Sequence, residues 1–552
     1  MDTLKDKLNA NQVRNCLRGL RSGIEAYKGA YESAMERVGS QSREKYELSK
    51  RVFAWIVHAK RQLHIAEVKH ALGTCIGKSR LDPDDFMSEQ TMLSVCAGLV
   101  SYDDRTKIIR LVHYTAQEYF RDHWLKWFKD ESAEITSTCI TYMSFSSFKS
   151  GPCRTQAEAD RRSKDYVLLN YAARHWGDHA REQETIGNGN EHELEGDKHE
   201  SHTRIAMSFL LNEPLVFSAF QAMVFARWGQ EYFVSPHTQA LHLTTYFGIH
   251  GLSALLLDNK ADVNAVGSFY DEGYDTFHQG VTPLYIACYK GDGKIATLLL
   301  DKGADINAQI RYFGTALHGA SLRGDKRAAK PILDTEDVQI DSTDDHRRIP
   351  LSSATEESKE AIVKLLLGTE KVEVDSKDGY GRTPLSFAAE SGNEKTVRLL
   401  IETGKVEIDS NDKYSRTPLS YAAANGKKAT VQLLVETGKV EVDSKDQHGR
   451  TVLSLAAKRG WVAIVKLLLE TGKVEVDSKD EEGWTPLSHA AARGYEAIAK
   501  LLVETGKVDV VSKDSGGRTP LRLAIDRGYS GIVKLLTNVN NQSRQLMDLS
   551  LD

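Results

Sequence analysis

The sequence predicts a mainly α protein: a helical N-terminal domain with one small hairpin, followed by an α-solenoid. Three observations carry that reading. The phrase Asp378-Gly-Tyr-Gly-Arg-Thr-Pro-Leu-Ser-Phe-Ala-Ala returns in variant form from Asp412, Asp446, Asp480 and Asp514. Its threonine falls at Thr383, Thr417, Thr451, Thr485 and Thr519, a spacing of 34 every time, and a fixed period of that size marks a stacked repeat array. Ahead of the array, apolar residues recur at helical spacing, broken by one pair of β-rich runs.

Composition sets the frame. The 552 residues leave room for two or more domains. A net charge of −5 with no polybasic half argues against direct nucleic-acid binding, which needs a clustered basic surface. The six cysteines are scattered without a CxxC pair and read as reduced intracellular thiols. The start, Met1-Asp-Thr-Leu-Lys-Asp-Lys, is polar, so no signal peptide is expected, and the apolar runs are too short for a membrane span. The expectation is an intracellular, cytoplasmic protein with the nucleus as a second compartment, and no membrane partner.

Residues 1–40 read as helix, with Leu8, Val13, Leu17, Leu20 and Ile24 at helical spacing. Residues 41–182 read as a second region. Leu48, Val52, Trp55 and Ile56 share a helical face, a short helix follows over His64–Leu72, and a third covers Met87–Cys96. Gly98–Tyr102 and Lys107–Val112 flank the turn formers Asp103 and Asp104 as a hairpin. A long helix starts near Tyr114, with Phe120, Trp124 and Phe128 on one face. Three helices and a wing-like hairpin predict a winged-helix-like domain.

Arg110-Leu-Val-His-Tyr-Thr-Ala-Gln-Glu-Tyr-Phe120 resembles the motif that closes the winged helix of NACHT-type STAND ATPases. Ser94–Val100, Thr138–Phe145 and Asn170–Trp176 resemble the segment that links NACHT to ankyrin repeats in fungal proteins. In that family the ATPase module precedes this region, and the chain is expected to lack it. Gly73-Thr-Cys-Ile-Gly-Lys-Ser79 has one residue too few between its glycines for a phosphate loop and follows a helical stretch rather than a strand. The resemblance implies that His113 touches a nucleotide phosphate. With no ATPase in cis, the residue is expected to be a half-buried structural histidine instead.

Residues 183–203 are polar and mostly acidic, a linker composition, and the spacing of His192, His199 and His202 fits no zinc pattern. Residues 204–236 read as an apolar helical cap for the array.

The array is expected over 237–540 as nine units, the first four degenerate and five regular from about 378, with a tail over 541–552. In a regular unit Thr383 caps a helix, Pro384 suits its first position and Gly392 ends it. Ala388 and Ala389 let helices approach. Val397, Leu399 and Leu400 give a second helix an apolar stripe, Gly404 closes it, and Val406–Asp412 runs extended to the next turn. No unit buries its apolar face alone, so stacking is obligatory. The Thr-Pro-Leu-x-x-Ala-Ala core resembles the ankyrin repeat. The histidine common after Pro-Leu in that family is Ser386, Ser420, Ser454 and Ser488 here, and Arg522 in the last unit. Pro331 falls inside the second helix of unit three, where the array is expected to bend or fray over 325–345.

No catalytic constellation, metal cluster or cofactor loop is present in the sequence, so a non-enzymatic protein without cofactors is expected. The aspartates of Val-Asp-Ser-Lys-Asp (Asp375, Asp378 and copies) lack the alternation of a calcium loop and read as finger-turn caps. The ankyrin resemblance implies partner binding at the finger tips and at the first-helix face. By position the candidates are Tyr380, Arg382, Tyr414, Arg416, His448, Arg450, Trp484 and Arg518, with Arg493 and Arg527 at helix ends beside Ser391, Asn425 and Arg459. Arginine beside aromatics is the composition of binding hot spots, and arginine forks fit an acidic peptide or protein face. Three functions follow as expectations: a scaffold binding proteins through the repeat face, a transcription coregulator, or an ATPase-less fragment of a STAND sensor that associates with a NACHT ATPase in trans.

Overall fold

Glu67 fixes the start of the N-terminal body's central turn. Its carboxylate accepts from the His64 amide at 2.8 Å and pairs with Arg61 at 2.6 Å, closing a capping box on the helix it begins. The computed structural model describes residues 24–127, 131–187, 196–228, 238–271 and 276–548. The chain divides between Pro283 and Leu284 into two bodies.

In the first body, α1 (Ile24–Gly39) and α2 (Arg43–His58) precede β1 (Leu63–His64), α3 (Ile65–Leu72) and α4 (Glu89–Ser94). The hairpin is β2 (Val100–Asp103) against β3 (Ile108–Leu111), antiparallel, with Tyr102 opposite Ile109. β1 adds a third strand on the other side of β3, which a two-residue strand does not announce in sequence. The winged-helix arrangement of three helices and a wing is therefore present. α5 (Tyr114–Trp127) buries Ala116 and Phe120 and turns out of helical geometry at His123. His113 is exposed, not half-buried. Its Nδ1 accepts from the Thr115 amide at 3.3 Å, so the ring caps α5 from the surface. Lys78, in the Gly73–Ser79 loop, pairs with Asp85 at 2.5 Å.

α6 (Glu131–Met143), α7 (Gln156–Asp165), α8 (Leu169–Gly187), α9 (Gly196–Leu210) and α10 (Glu213–Trp228) follow, and α8 packs on α6 and α10 around fully buried Tyr142, Tyr171 and Trp176. The stretch expected to be an acidic linker over 183–203 is helical at both ends, over 183–187 in α8 and 196–203 in α9. The middle, including His192, lies outside the described residues. Glu184 explains why its end of the stretch is ordered. Its carboxylate accepts the amides of His250 at 2.8 Å and Gly251 at 2.8 Å, capping the positive end of α12. α11 (Ala240–Phe247), α12 (His250–Asp258) and the hairpin β4 (Gly267–Asp271)–β5 (Thr276–Val281) form the first, degenerate repeat, which belongs to this body. Buried His242 donates from Nε2 to the Val281 carbonyl at 3.1 Å.

The second body is built of helix pairs. They are α13 (Pro283–Lys290) and α14 (Gly293–Asp301), α15 (Ala316–Arg323) and α16 (Lys326–Leu333), α17 (Pro350–Glu356) and α18 (Glu360–Leu367). The regular units follow as α19 (Pro384–Ser391) and α20 (Glu394–Glu402), α21 (Pro418–Ala424) and α22 (Lys428–Glu436), α23 (Val452–Arg459) and α24 (Val462–Glu470). α25 (Pro486–Arg493) and α26 (Glu496–Glu504), then α27 (Pro520–Asp526) and α28 (Ser530–Asp548), end the array. First helices pack on first helices and second on second, so Leu385, Leu419, Leu453 and Leu487 are fully buried in one continuous core. Each such leucine removed from water contributes about 2 kcal/mol. α16 contains Pro331 yet remains helical through Leu333, because the proline sits in the last turn, where one missing amide breaks little.

Serine in place of the usual histidine changes how units are joined. In α15 His318 accepts the Thr315 amide on Nδ1 at 3.0 Å and donates from Nε2 to the Arg348 carbonyl of the next unit at 2.9 Å. Ser386 closes the first of these bonds with Thr383 but is too short for the second. Two other ladders join the regular units. Backbone amides of Lys413, Gln447, Glu481 and Ser515 donate to the tip carbonyls of Tyr380, Tyr414, His448 and Glu482 at 2.8–3.0 Å. The carboxylates of Asp375, Asp409, Asp443 and Asp477 accept the amides of Glu407, Glu441, Glu475 and Asp509 one unit on.

Candidate protein-binding groove

The finger turn is built on one aspartate. Asp378 Oδ1 accepts the amides of Tyr380 and Arg382, both at 2.8 Å, while Oδ2 accepts from Arg382 Nε at 3.0 Å. Asp344, Asp412, Asp446 and Asp514 repeat this with Arg348, Arg416, Arg450 and Arg518. The aspartates are buried and cap the finger turn, and among the described residues no group of three or more His, Cys, Asp or Glu is placed to hold a metal.

This pairing changes the reading of the tip arginines. Arg382, Arg416, Arg450 and Arg518 each turn a guanidinium edge onto a carboxylate of their own finger, so that edge is already occupied. Removing any of them leaves a buried carboxylate without its cation. The same guanidiniums lie over first-helix rings, Arg382 on Phe387 at 4.1 Å and Arg416 on Tyr421 at 4.5 Å. Unit eight departs: Trp484 replaces the arginine, and His489 donates from Nε2 to Asp480 at 2.9 Å in its stead. Tyr380, Tyr414 and His448 are exposed at the tips, with the two tyrosine rings stacked 6.5 Å apart. Trp484 is half-buried beside His489.

Fingers fold over the first helices, and the surface the two share is the candidate groove. In two units the residue eight places after the tip arginine faces it: Glu356 lies 2.6 Å from Arg348 and Glu390 3.7 Å from Arg382. Continued at the period of 34, that position is Ala424, Lys458, Ala492 and Asp526, and the next is Asn425, Arg459, Arg493 and Arg527. Sequence reasoning missed Lys458, although the repeat spacing placed it.

Charge in this groove is unevenly neutralised. Arg459, Arg493 and Arg527 are exposed, and neither they nor half-buried Lys458 has an ion-pair partner among the described residues. Burial and the neighbouring Arg450 and Arg493 guanidiniums lower the Lys458 ammonium pKa, against the pull of Asp480 and Glu482. Lys458 has no carboxylate in direct contact among the described residues and stands near Arg450 and Arg493, a setting that favours an anion.

The comparisons agree with this architecture. A family model for ankyrin repeats in three copies matches residues 220–310, 317–412, 357–446, 396–480, 419–514 and 472–545, together more than half of the chain. A model for the winged helix domain of GPI inositol-deacylase, a domain type found in NACHT-type proteins, matches 35–128. No curated protein matches the chain. Among the described residues no single helix is long and apolar enough to cross a membrane.

Proposed function

We propose that this chain, which belongs to the ankyrin-repeat family, is a non-enzymatic scaffold that grips an acidic segment of a partner protein in the groove of units seven to nine. Ankyrin repeats are protein-interaction modules. The observation that carries the finer reading is the set of unpaired cations: Lys458, Arg459, Arg493 and Arg527, beside exposed His448 and half-buried Trp484. Arginine here is free to fork onto carboxylates, whereas the tip arginines are held by their own aspartates. The working place we propose is the cell interior.

The test is fluorescence anisotropy with a labelled octa-glutamate peptide against wild type and an Arg459→Glu, Arg493→Glu variant. The expected result is saturable binding to wild type that falls at least about tenfold in the variant while the thermal melt stays in place. Equal binding by both proteins, or tighter binding of an oligonucleotide of equal charge, overturns the reading.

A second reading rests on the match over 35–128. We infer from it that the N-terminal body works beside a NACHT ATPase supplied in trans. Failure to co-purify with any such ATPase from the native source, under conditions that retain other partners, contradicts it.

A further inference from the structure

The groove that is cationic in units seven to nine changes sign toward units four and five. At the position facing the tip arginine the series runs Glu356, Glu390, Ala424, Lys458, Ala492, Asp526, and at the next it runs Glu357, Ser391, Asn425, Arg459, Arg493, Arg527. In unit four Arg348 stands between Asp344 and Glu356, one cation against two carboxylates, and exposed Glu357 adds a further charge with no ion-pair partner among the described residues. In unit five Arg382 stands between Asp378 and Glu390 in the same ratio. In unit six Arg416 meets Asp412 alone, and the two series positions, Ala424 and Asn425, carry no charge. Unit seven inverts the sign: Arg450 is balanced by Asp446, and Lys458 and Arg459 stand in excess.

We infer that the partner segment is dipolar, with carboxylates at the end lying over units seven and eight and lysine or arginine at the end lying over units four and five. This deepens the function proposed above and rests on it for the acidic half. Two physical points support the pairing. A uniformly acidic segment running the length of the groove meets repulsion from Glu356, Glu357 and Glu390, and like charges in register are unfavourable. The two zones are also far enough apart to act separately. Adjacent first helices pack side by side, at about 8–10 Å per step, so unit five lies about 20 Å from unit seven, two to three Debye lengths at physiological salt. An extended chain rises about 3.3 Å per residue, so roughly six to eight residues separate the two charged ends.

Three labelled peptides test this on the full chain by fluorescence anisotropy: four glutamates, eight Gly-Ser residues and four lysines; the same in reverse order; and four glutamates followed by Gly-Ser throughout. The expected result is that one dipolar order binds roughly fivefold tighter than the glutamate-only peptide. That advantage disappears in a Glu357→Gln, Glu390→Gln variant, whose affinity for the glutamate-only peptide stays within about twofold of wild type. If neither dipolar order exceeds the glutamate-only peptide, or if the advantage survives in the variant, the inference is overturned while the acidic site stands. If the glutamate-only peptide itself fails to bind, or binds the Arg459→Glu, Arg493→Glu protein equally well, the acidic site fails, and the dipolar segment with it.

Discussion

The carbonyl oxygen of Arg327 lies 2.3 Å from where a β-carbon on Gly293 would stand. Gly293 is the first residue of α14 and Arg327 the second of α16, so the two lie in the opening turns of consecutive second helices. Pro331, four residues after Arg327, has no amide hydrogen to give that carbonyl, which instead faces the bare Cα of the preceding unit. Gly293→Ala puts a methyl group into backbone that cannot yield as a side chain would. The expected loss is about 2 kcal/mol, read as a lower urea midpoint, and an unchanged midpoint contradicts this packing.

Tip arginines and helix-end arginines differ in what their removal does to the fold. Arg450→Ala strips the cation from buried Asp446 and is expected to destabilise by about 2 kcal/mol. Arg493→Ala touches no partner of this kind and is expected to stay within about 0.5 kcal/mol of wild type. Differential scanning calorimetry of the two variants decides it. Two equal shifts contradict the assignment of one residue to stability and the other to binding.

At one place in the finger turn, two units carry a left-handed residue where the others carry glycine. Ser415 at φ +56° and Arg347 at φ +60° occupy the place held elsewhere by Gly381, Gly449, Gly483 and Gly517. A side chain there costs about 1–2 kcal/mol, and glycine returns part of that as unfolded-chain entropy. Ser415→Gly combined with Arg347→Gly is therefore expected to stabilise by about 1 kcal/mol. Gly449→Ala, with Glu481 N only 3.1 Å from the new carbon, moves the melt the other way.

Acid separates the first repeat from the regular ones. His242 and His278 are buried, and burial lowers each to about 4. The unfolded chain, with histidine near 6.5, binds protons more readily, so the stability these neutral rings give is whole above about pH 6.5 and is lost as pH falls toward 4. At full loss that is about 3 kcal/mol each. Burial raises Asp375, Asp409, Asp443 and Asp477 instead. Their folded form holds a proton better than the unfolded chain, so they favour folding as pH drops through the carboxylate range. Hydrogen exchange at pH 7 and pH 5 is expected to show α11 and β5 losing protection while α19–α26 keep theirs. Uniform loss contradicts the burial of these histidines as the cause.

The period of 34 made the repeats legible from sequence, because each unit must present the same apolar faces to identical neighbours. The finger pairing was legible in principle, as Asp and Arg stand four apart in Asp378–Arg382 and its copies, and the exception at Trp484 is answered by His489. Arginine beside tyrosine also has the composition of an interface, and that masks the pairing in the sequence. The ends of the acidic stretch were not legible. Glu184 reads as linker composition until the amides of His250 and Gly251, far along the chain, are seen to need it. β1 escaped because its order comes from pairing with β3 rather than from its own two residues.

The tip ladder runs from the Tyr380 carbonyl to Lys413 and from the Tyr414 carbonyl to Gln447. Excising residues 413–446 brings the Tyr380 carbonyl to the Gln447 amide, an equivalent partner on an equivalent turn. Deletion or duplication of a whole regular unit thus restores the same backbone bond at the splice, and a gene encoding this array can change its reach in steps of one unit while keeping that ladder.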